Sequence, residues 1–311
     1  MQVENAIEVK HLFKKFDQQI AVNDVSFTVK KGEVFGLLGP NGAGKTTILR
    51  MLTTLLKPNS GDITIFGHDL KTDGKKARAT FGVTGQYASV DEDLSAKENL
   101  IIFSRLNGLS KKAAHIRANE LLKEFSLEKS ADKSIKNFSV GMRRRLDLAI
   151  SLITRPALIF LDEPTTGLDP RTRTQMWDTI RSLVKQGSTI FLTTQYLEEA
   201  DNLADRVAVI DHGKLIKIGT PDQLKQQLSE STMSLKVENN SDITSASKTL
   251  QLRLNNQPKI IDNTITIKFK NTDQVIDSLA ELKKQQIGIT DFTVQQPTLD
   301  DVFMALTVGT N

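Results

Sequence analysis

The chain has 311 residues, 39% hydrophobic and 25% charged, and Lys+Arg 41 against Asp+Glu 37 leaves a formal net charge of +4. That is ordinary globular composition, long enough for one large domain and one small one, and its basic residues are scattered, so nucleic acid is not an expected partner. No cysteine is present, which excludes disulfides, thiolate catalysis and sulfur-held zinc. No signal-peptide core is expected at the N-terminus and no apolar run approaches the roughly 18 residues of a spanning helix.

In chain order, Ile7 to Phe13 and Val25 to Val29 read as strands, followed by the apolar run Glu33-Val34-Phe35-Gly36-Leu37-Leu38. Ile48, Leu49, Leu52, Leu55 and Leu56 then fall at helical spacing, and Asp62 to Phe66 follows a Pro58-Asn59-Ser60-Gly61 turn. The front of the chain is thus rich in β structure. Ala96 to Leu106 and Lys111 to Phe125 lie in a helical insertion expected over about 93–155. Next come Ala157 to Asp162, Thr172 to Val184, Ser188 to Thr194, Tyr196 to Ala204, Arg206 to Ile210 and Lys214 to Ile218, with Pro221 to Leu228 as a closing helix. Apolar strands alternating with helices imply a parallel sheet covered on both faces.

Composition shifts near residue 230, so the expected domains are 1–230 and 231–311. The second part reads as strand Ser234 to Val237, helix Thr244 to Leu252, strands Lys259 to Asp262 and Thr264 to Phe269, helix Gln274 to Gln285 and strand Asp291 to Gln295. That βαββαβ order is ferredoxin-like, and it ends in an amphipathic turn with Leu299, Val302, Phe303 and Leu306.

Two segments carry chemistry. Gly39-Pro40-Asn41-Gly42-Ala43-Gly44-Lys45-Thr46-Thr47 matches G-x-x-x-x-G-K-[ST] between a predicted strand and a predicted helix. The glycines let backbone N–H groups converge on phosphate oxygens, Lys45 adds a charge, and the Thr46 hydroxyl suits Mg²⁺. Leu158-Ile159-Phe160-Leu161-Asp162-Glu163 is an apolar strand ending in two acids: Asp162 suits holding Mg²⁺ and Glu163 suits polarising the attacking water. Further on, Ser139 and Gly141 open a helix through Leu146, Leu148, Ile150 and Leu152, so that a hydroxyl, N–H groups and a helix dipole face one way. Alone, that arrangement is equally an ordinary helix cap.

Taken together and in this order, Ile7 to about Gln227 resembles the ATPase subunit of ATP-binding-cassette (ABC) transporters, and Phe138-Ser139-Val140-Gly141-Met142-Arg143-Arg144-Arg145 resembles the family's signature sequence. The resemblance implies an ABC-type phosphate-loop core with an antiparallel β subdomain and a helical insertion. It implies Phe16 as the aromatic that stacks on adenine, and Gln86 as the glutamine that serves Mg²⁺ and membrane coupling. Gly39, Asn41, Gly42, Ala43, Gly44, Lys45, Thr46 and Thr47 would bind the ATP phosphates, and Thr46, Gln86 and Asp162 the Mg²⁺. Ser139, Gly141 and the loop Gly167-Leu168-Asp169 would complete the nucleotide site of a second copy in a head-to-tail ATP sandwich. Two departures bear on rate. Val140 stands where the family has glycine, which is tolerable only at ordinary dihedrals. Gln195 stands where it has histidine, so it can hydrogen-bond the γ-phosphate but cannot carry a proton.

The glutamine variant, the Met142-Arg143-Arg144-Arg145 ending and the tail Pro297-Thr298-Leu299-Asp300-Asp301-Val302-Phe303 look like the daunorubicin-resistance type of multidrug exporter ATPase. That implies an ATP-hydrolysing subunit, with Lys45, Glu163 and Gln195 catalytic, driving efflux of a drug, antibiotic or lipid-like substrate through a separate integral-membrane permease. It would work peripherally on the cytoplasmic face of the membrane. The competing readings are a soluble ABC ATPase outside transport and an ATP-locked scaffold or sensor with slow hydrolysis. Against the first stand the single cassette and the lack of a coiled-coil insertion; against the second stands Glu163.

Overall fold

The computed structural model describes residues 4–84, 90–228 and 231–295. Its contacts divide the chain into two compact units, Met1–Pro221 and Asp222–Asn311.

In the first unit, β1 (Asn5–Phe16) and β2 (Gln19–Lys30) form a long antiparallel pair. Both exceed the strands expected from sequence, because the polar stretch at the start of β2 is held by pairing with β1 and not by its own pattern. β3 (Val34–Leu38) is buried at every residue and leads through the glycine-rich loop into α1 (Lys45–Leu52). The helix stops at Leu52, and Leu55 beyond it is exposed. β4 (Ser60–Ile65) and β5 (His68–Asp69) complete an antiparallel sheet of order β2-β1-β4-β5. The short helix α2 (Gly74–Arg78) then leads to β6 (Phe81–Thr84).

The expected helical region contains α3 (Ala96–Leu106), α4 (Lys111–Glu124) and α5 (Val140–Ser151). Their starts are set by serine caps. Ser95 accepts from the Glu98 N–H in a reciprocal capping box, Ser110 accepts from Ala113 and Ser139 from Met142.

The chain then returns to the central sheet through β7 (Leu158–Asp162), α6 (Pro170–Lys185), β8 (Thr189–Thr194), α7 (Leu197–Leu203), β9 (Arg206–Asp211) and β10 (Lys214–Gly219). The order is β10-β9-β3-β8-β7-β6. The pairs from β9 to β6 are parallel, with β3, β7 and β8 buried along their length. β10 departs from the parallel pattern: the His212-Gly213 link, with φ 44° and 75°, is too short for a crossover and makes an antiparallel hairpin with β9.

The two sheets share one core. Phe27 of the antiparallel sheet stacks on Phe35 at 5.3 Å, Phe35 lies 5.8 Å from Phe191, and Phe160 lies 5.5 Å from Phe191. Each ring contributes about 1.5–3 kcal/mol by burial, and each aromatic pair adds about 0.5–1.5 kcal/mol. The C-terminal ends of β3, β7 and β8, where the chemistry lies, are thereby mounted on a rigid centre.

α8 (Pro221–Leu228) begins at the last residue of the first unit, and the second unit continues with β11 (Ser231–Val237), α9 (Ile243–Leu254), β12 (Lys259–Ile261), β13 (Thr264–Phe269), α10 (Thr272–Lys284) and β14 (Ile289–Gln295). The all-antiparallel order β12-β13-β11-β14 is the ferredoxin-like arrangement read from the sequence. Met233, Leu235, Ile265 and Ile267 on the sheet and Leu250, Val275 and Leu282 on the helices give it a core of its own. Leu299, Val302, Phe303 and Leu306, and the tail motif Pro297 to Phe303, lie outside the described residues.

Candidate functional site: a phosphate loop facing two carboxylates

The loop between β3 and α1 is shaped by close backbone approaches. Gly44 has φ 103°, and a Cβ there would lie 2.5 Å from the Ala21 carbonyl oxygen, so only glycine fits. Gly39 donates its N–H to Thr194 O at 3.2 Å, and Gly213 donates to Ala43 O at 3.0 Å, which ties the loop to β8 and to the β9–β10 hairpin. α1 starts at Lys45 with glycine as its cap, so no side chain caps its first turn. That leaves its positive end suited to an anion.

Lys45 is buried and curls back over its own loop, donating to Gly39 O at 2.8 Å and Pro40 O at 3.0 Å. Its ammonium lies 3.5 Å from Glu163 Oε1. Burial lowers the Lys45 pKa below the ordinary lysine value, against the opposing pull of Glu163.

β7 delivers Asp162 and Glu163 to the same sheet edge, both buried. Asp162 Oδ1 accepts the Thr193 hydroxyl at 2.6 Å and faces the Thr46 hydroxyl at 3.4 Å. Glu163 turns at φ 48°, and its Oε2 accepts from Thr166 at 3.3 Å. Hard oxygen donors on Thr46 and Asp162 meet here, the chemistry suited to Mg²⁺, which keeps most of its water and phosphate ligands. Among the described residues no group of three or more His, Cys, Asp or Glu gathers into a protein-only metal cage.

These elements line a cleft of about 520 Å³, the size of small-ligand sites. Phe16, Asn41, Thr46, Thr47, Glu163 and Gln195 are on its wall, with Gly42, Gly44 and Lys45. Phe16 is half exposed at the end of β1, and the Lys14 ammonium sits 5.1 Å over its ring. Gln19, Ala21 and Thr166 also line the cleft, and Thr193 lies behind it on Asp162, although none of the four stands out in the sequence. Gln19 and Ala21 carry no chemical signal and enter only through the β1–β2 pairing.

The remaining candidates have local structural roles. Ser139 caps α5 through the Met142 N–H at 3.2 Å. Val140 is the first residue of that helix, is exposed and does not have positive φ, so valine is tolerated where the family has glycine. Gly141 is buried and packs so close to α6 that a Cβ there would collide with Thr172 Cγ2. Asp169 caps α6, accepting from the Thr172 hydroxyl at 2.6 Å and its N–H at 3.0 Å, which holds the Asp169 carboxyl below the ordinary value. Ala43 is buried within the loop, and Gln86 lies outside the described residues. Nearby, Glu199 of α7 is buried and accepts from Thr165 at 2.8 Å and Trp177 at 3.4 Å; burial pushes its carboxyl up.

A phosphate loop after β3, two carboxylates at the end of β7 with β8 between the two strands, and a cassette-like pair of sheets define a phosphate-loop ATPase. A family model described as ABC transporter matches residues 22–166, and one described as ATP-binding protein DrrA1-3-like, C-terminal domain, matches residues 219–307. The daunorubicin/doxorubicin resistance ATP-binding protein DrrA of Streptomyces peucetius is 45% identical over 97% of this chain and 92% of its own. The doxorubicin resistance ATP-binding protein DrrA of Mycobacterium tuberculosis is 41% identical over 93% and 88%. The Nod factor export ATP-binding protein I of Burkholderia lata is 45% identical over 70% and 72%. A solved ATP-binding subunit of an ABC transporter matches with TM-score 0.63 at 30% identity, covering 71% of this chain and 92% of its own. The chain belongs to the ATP-binding subunits of ABC transporters, a family that hydrolyses ATP to power transport, and its full-length relatives are drug-resistance proteins of the DrrA type.

Proposed function

We propose that this chain hydrolyses ATP to drive export of a drug, antibiotic or lipid-like molecule through a separate integral-membrane permease. The observation that carries the reading is the convergence of Lys45, Thr46, Glu163 and Gln195 on one cleft. The loop N–H groups and Lys45 bind the β- and γ-phosphates, Phe16 stacks on the base, and Glu163 polarises the attacking water. Gln195 steadies the γ-phosphate through its amide. Thr46 and Asp162, with Gln86, would hold Mg²⁺, which supplies charge neutralisation across the phosphates when bound.

Ser139, Gly141 and Asp169 belong, in this reading, to the site of a second copy, so two chains enclose two ATP molecules head to tail. Residues 1–230, with the insertion at 93–155, form the nucleotide-binding domain, and 231–311 form an accessory domain. No helix among the described residues is long and apolar enough to cross a membrane, which fits a subunit that acts peripherally on the cytoplasmic face through its permease.

The test is ATPase activity of the purified chain, alone and with the permease in vesicles, with daunorubicin as transport probe. ATP-dependent accumulation that requires both subunits supports the reading. Tight ATP binding without turnover in either setting would make the chain an ATP-dependent scaffold instead.

A further inference from the structure

Thr193, the penultimate residue of β8, lies in register with Asp162 of β7 and has no exposed surface, in a strand whose residues Ile190, Phe191 and Leu192 are apolar and buried. Its hydroxyl donates to Asp162 Oδ1 at 2.6 Å and accepts the Glu163 N–H at 3.1 Å. Its carbonyl oxygen also accepts that N–H, again at 3.1 Å. Glu163 needs the restraint: φ 48° is a left-handed conformation that residues with side chains adopt only when their surroundings enforce it. A hydroxyl has one proton to give and lone pairs to receive with, so one buried group serves the carboxylate and the peptide together; valine, of the same shape, can do neither.

We propose that Thr193 is a positioning residue for hydrolysis. It holds the Asp162 carboxylate beside Thr46 and fixes the backbone turn that sets Glu163 against the nucleotide cleft, so the metal-side and water-side carboxylates move as one unit. This rests on the roles proposed above for Asp162 and Glu163.

The experiment uses the full chain with Thr193→Val, Thr193→Ser and Thr193→Cys, and Glu163→Gln as reference. Steady-state ATPase kinetics are paired with equilibrium titration of ATP in Mg²⁺ and in EDTA. Thr193→Val is expected to lower kcat by about 10–100-fold with KM within about threefold, and to shrink the gain in ATP affinity that Mg²⁺ brings by about tenfold. Thr193→Ser keeps both hydrogen bonds and should stay within about threefold of the parent on each readout. Thr193→Cys, a weak donor of similar size, should follow the valine variant and serves if valine does not fold. Parental kcat and parental Mg²⁺ gain in the valine or cysteine variant would overturn the proposal, as would equal losses in the serine and valine variants, which would point to methyl packing. Wild-type turnover in Glu163→Gln would instead defeat the underlying assignment of Glu163, and the Mg²⁺ gain would still report on Thr193 and Asp162.

Discussion

The Lys45 ammonium lies 3.5 Å from the Glu163 carboxylate, with the two side chains only 4% and 10% exposed. The cation of the phosphate loop and the carboxylate proposed to activate water are therefore paired inside the protein, and the loop carbonyls of Gly39 and Pro40 hold the ammonium in place. Lys45→Ala removes the charge that meets the phosphates and strands a buried carboxylate. Loss of one charged hydrogen bond costs about 1.5–3 kcal/mol, so Mg-ATP affinity should fall by roughly 10–100-fold in a calorimetric titration. Unchanged affinity would sink the phosphate-loop assignment.

Gln195→His restores the side chain usual in this family's position and should leave the fold intact. Because the group is expected to touch the γ-phosphate mainly as charge redistributes, kcat should change by more than about threefold while KM stays within about twofold. A raised KM at constant kcat would make Gln195 a ground-state binding residue.

Gly141 is buried against Thr172, which is itself held by two hydrogen bonds to Asp169. Gly141→Ala should cost about 1–3 kcal/mol by overpacking. Adding Thr172→Ser, which removes the colliding methyl and keeps the hydroxyl, should recover most of that loss in thermal or urea unfolding. If the double variant is no more stable than Gly141→Ala, the close approach of α5 and α6 is not what requires glycine.

Asp147 on α5 is buried with its Oδ1 unpartnered, and burial pushes its carboxyl up from 3.8 to about 6, against the pull of Arg144 and Arg143. The folded chain thus binds this proton more tightly than the unfolded chain. The stabilisation of the protonated form is fully present below about pH 4 and is lost as pH rises through about 6, a change on the order of 3 kcal/mol. Asp147→Asn does not titrate, so it should gain about 1–2 kcal/mol on the parent between about pH 5 and about pH 7.5. A difference independent of pH would mean that Asp147 is solvated.

What the sequence disclosed, and what it did not, follows from how local each feature is. The phosphate loop and Asp162-Glu163 were legible because each is one short segment whose residue types state its chemistry. Thr193 was silent: it reads as one more β-branched strand residue, and its role arises only when β8 pairs with β7. The early half of β2 and the strand β6 were missed for the same reason, since partners and not their own patterns make them strands. α6 begins at Pro170, ahead of the expected Thr172, because Asp169 caps it and proline suits the first turn. Val140 could not be judged from identity alone; its place inside α5 removes the need for glycine.

Glu163→Gln in the full chain, followed by sedimentation velocity with Mg-ATP and by turnover, tests the proposed ATP-driven cycle most directly. The amide keeps the shape of the carboxylate but cannot polarise water. Retained ATP binding is expected, with hydrolysis slower by about 10²–10⁴-fold and an ATP-dependent dimer that persists because its nucleotide is not consumed. A variant that stays monomeric with ATP and turns over at the parental rate would rule out Glu163 as the carboxylate that activates water.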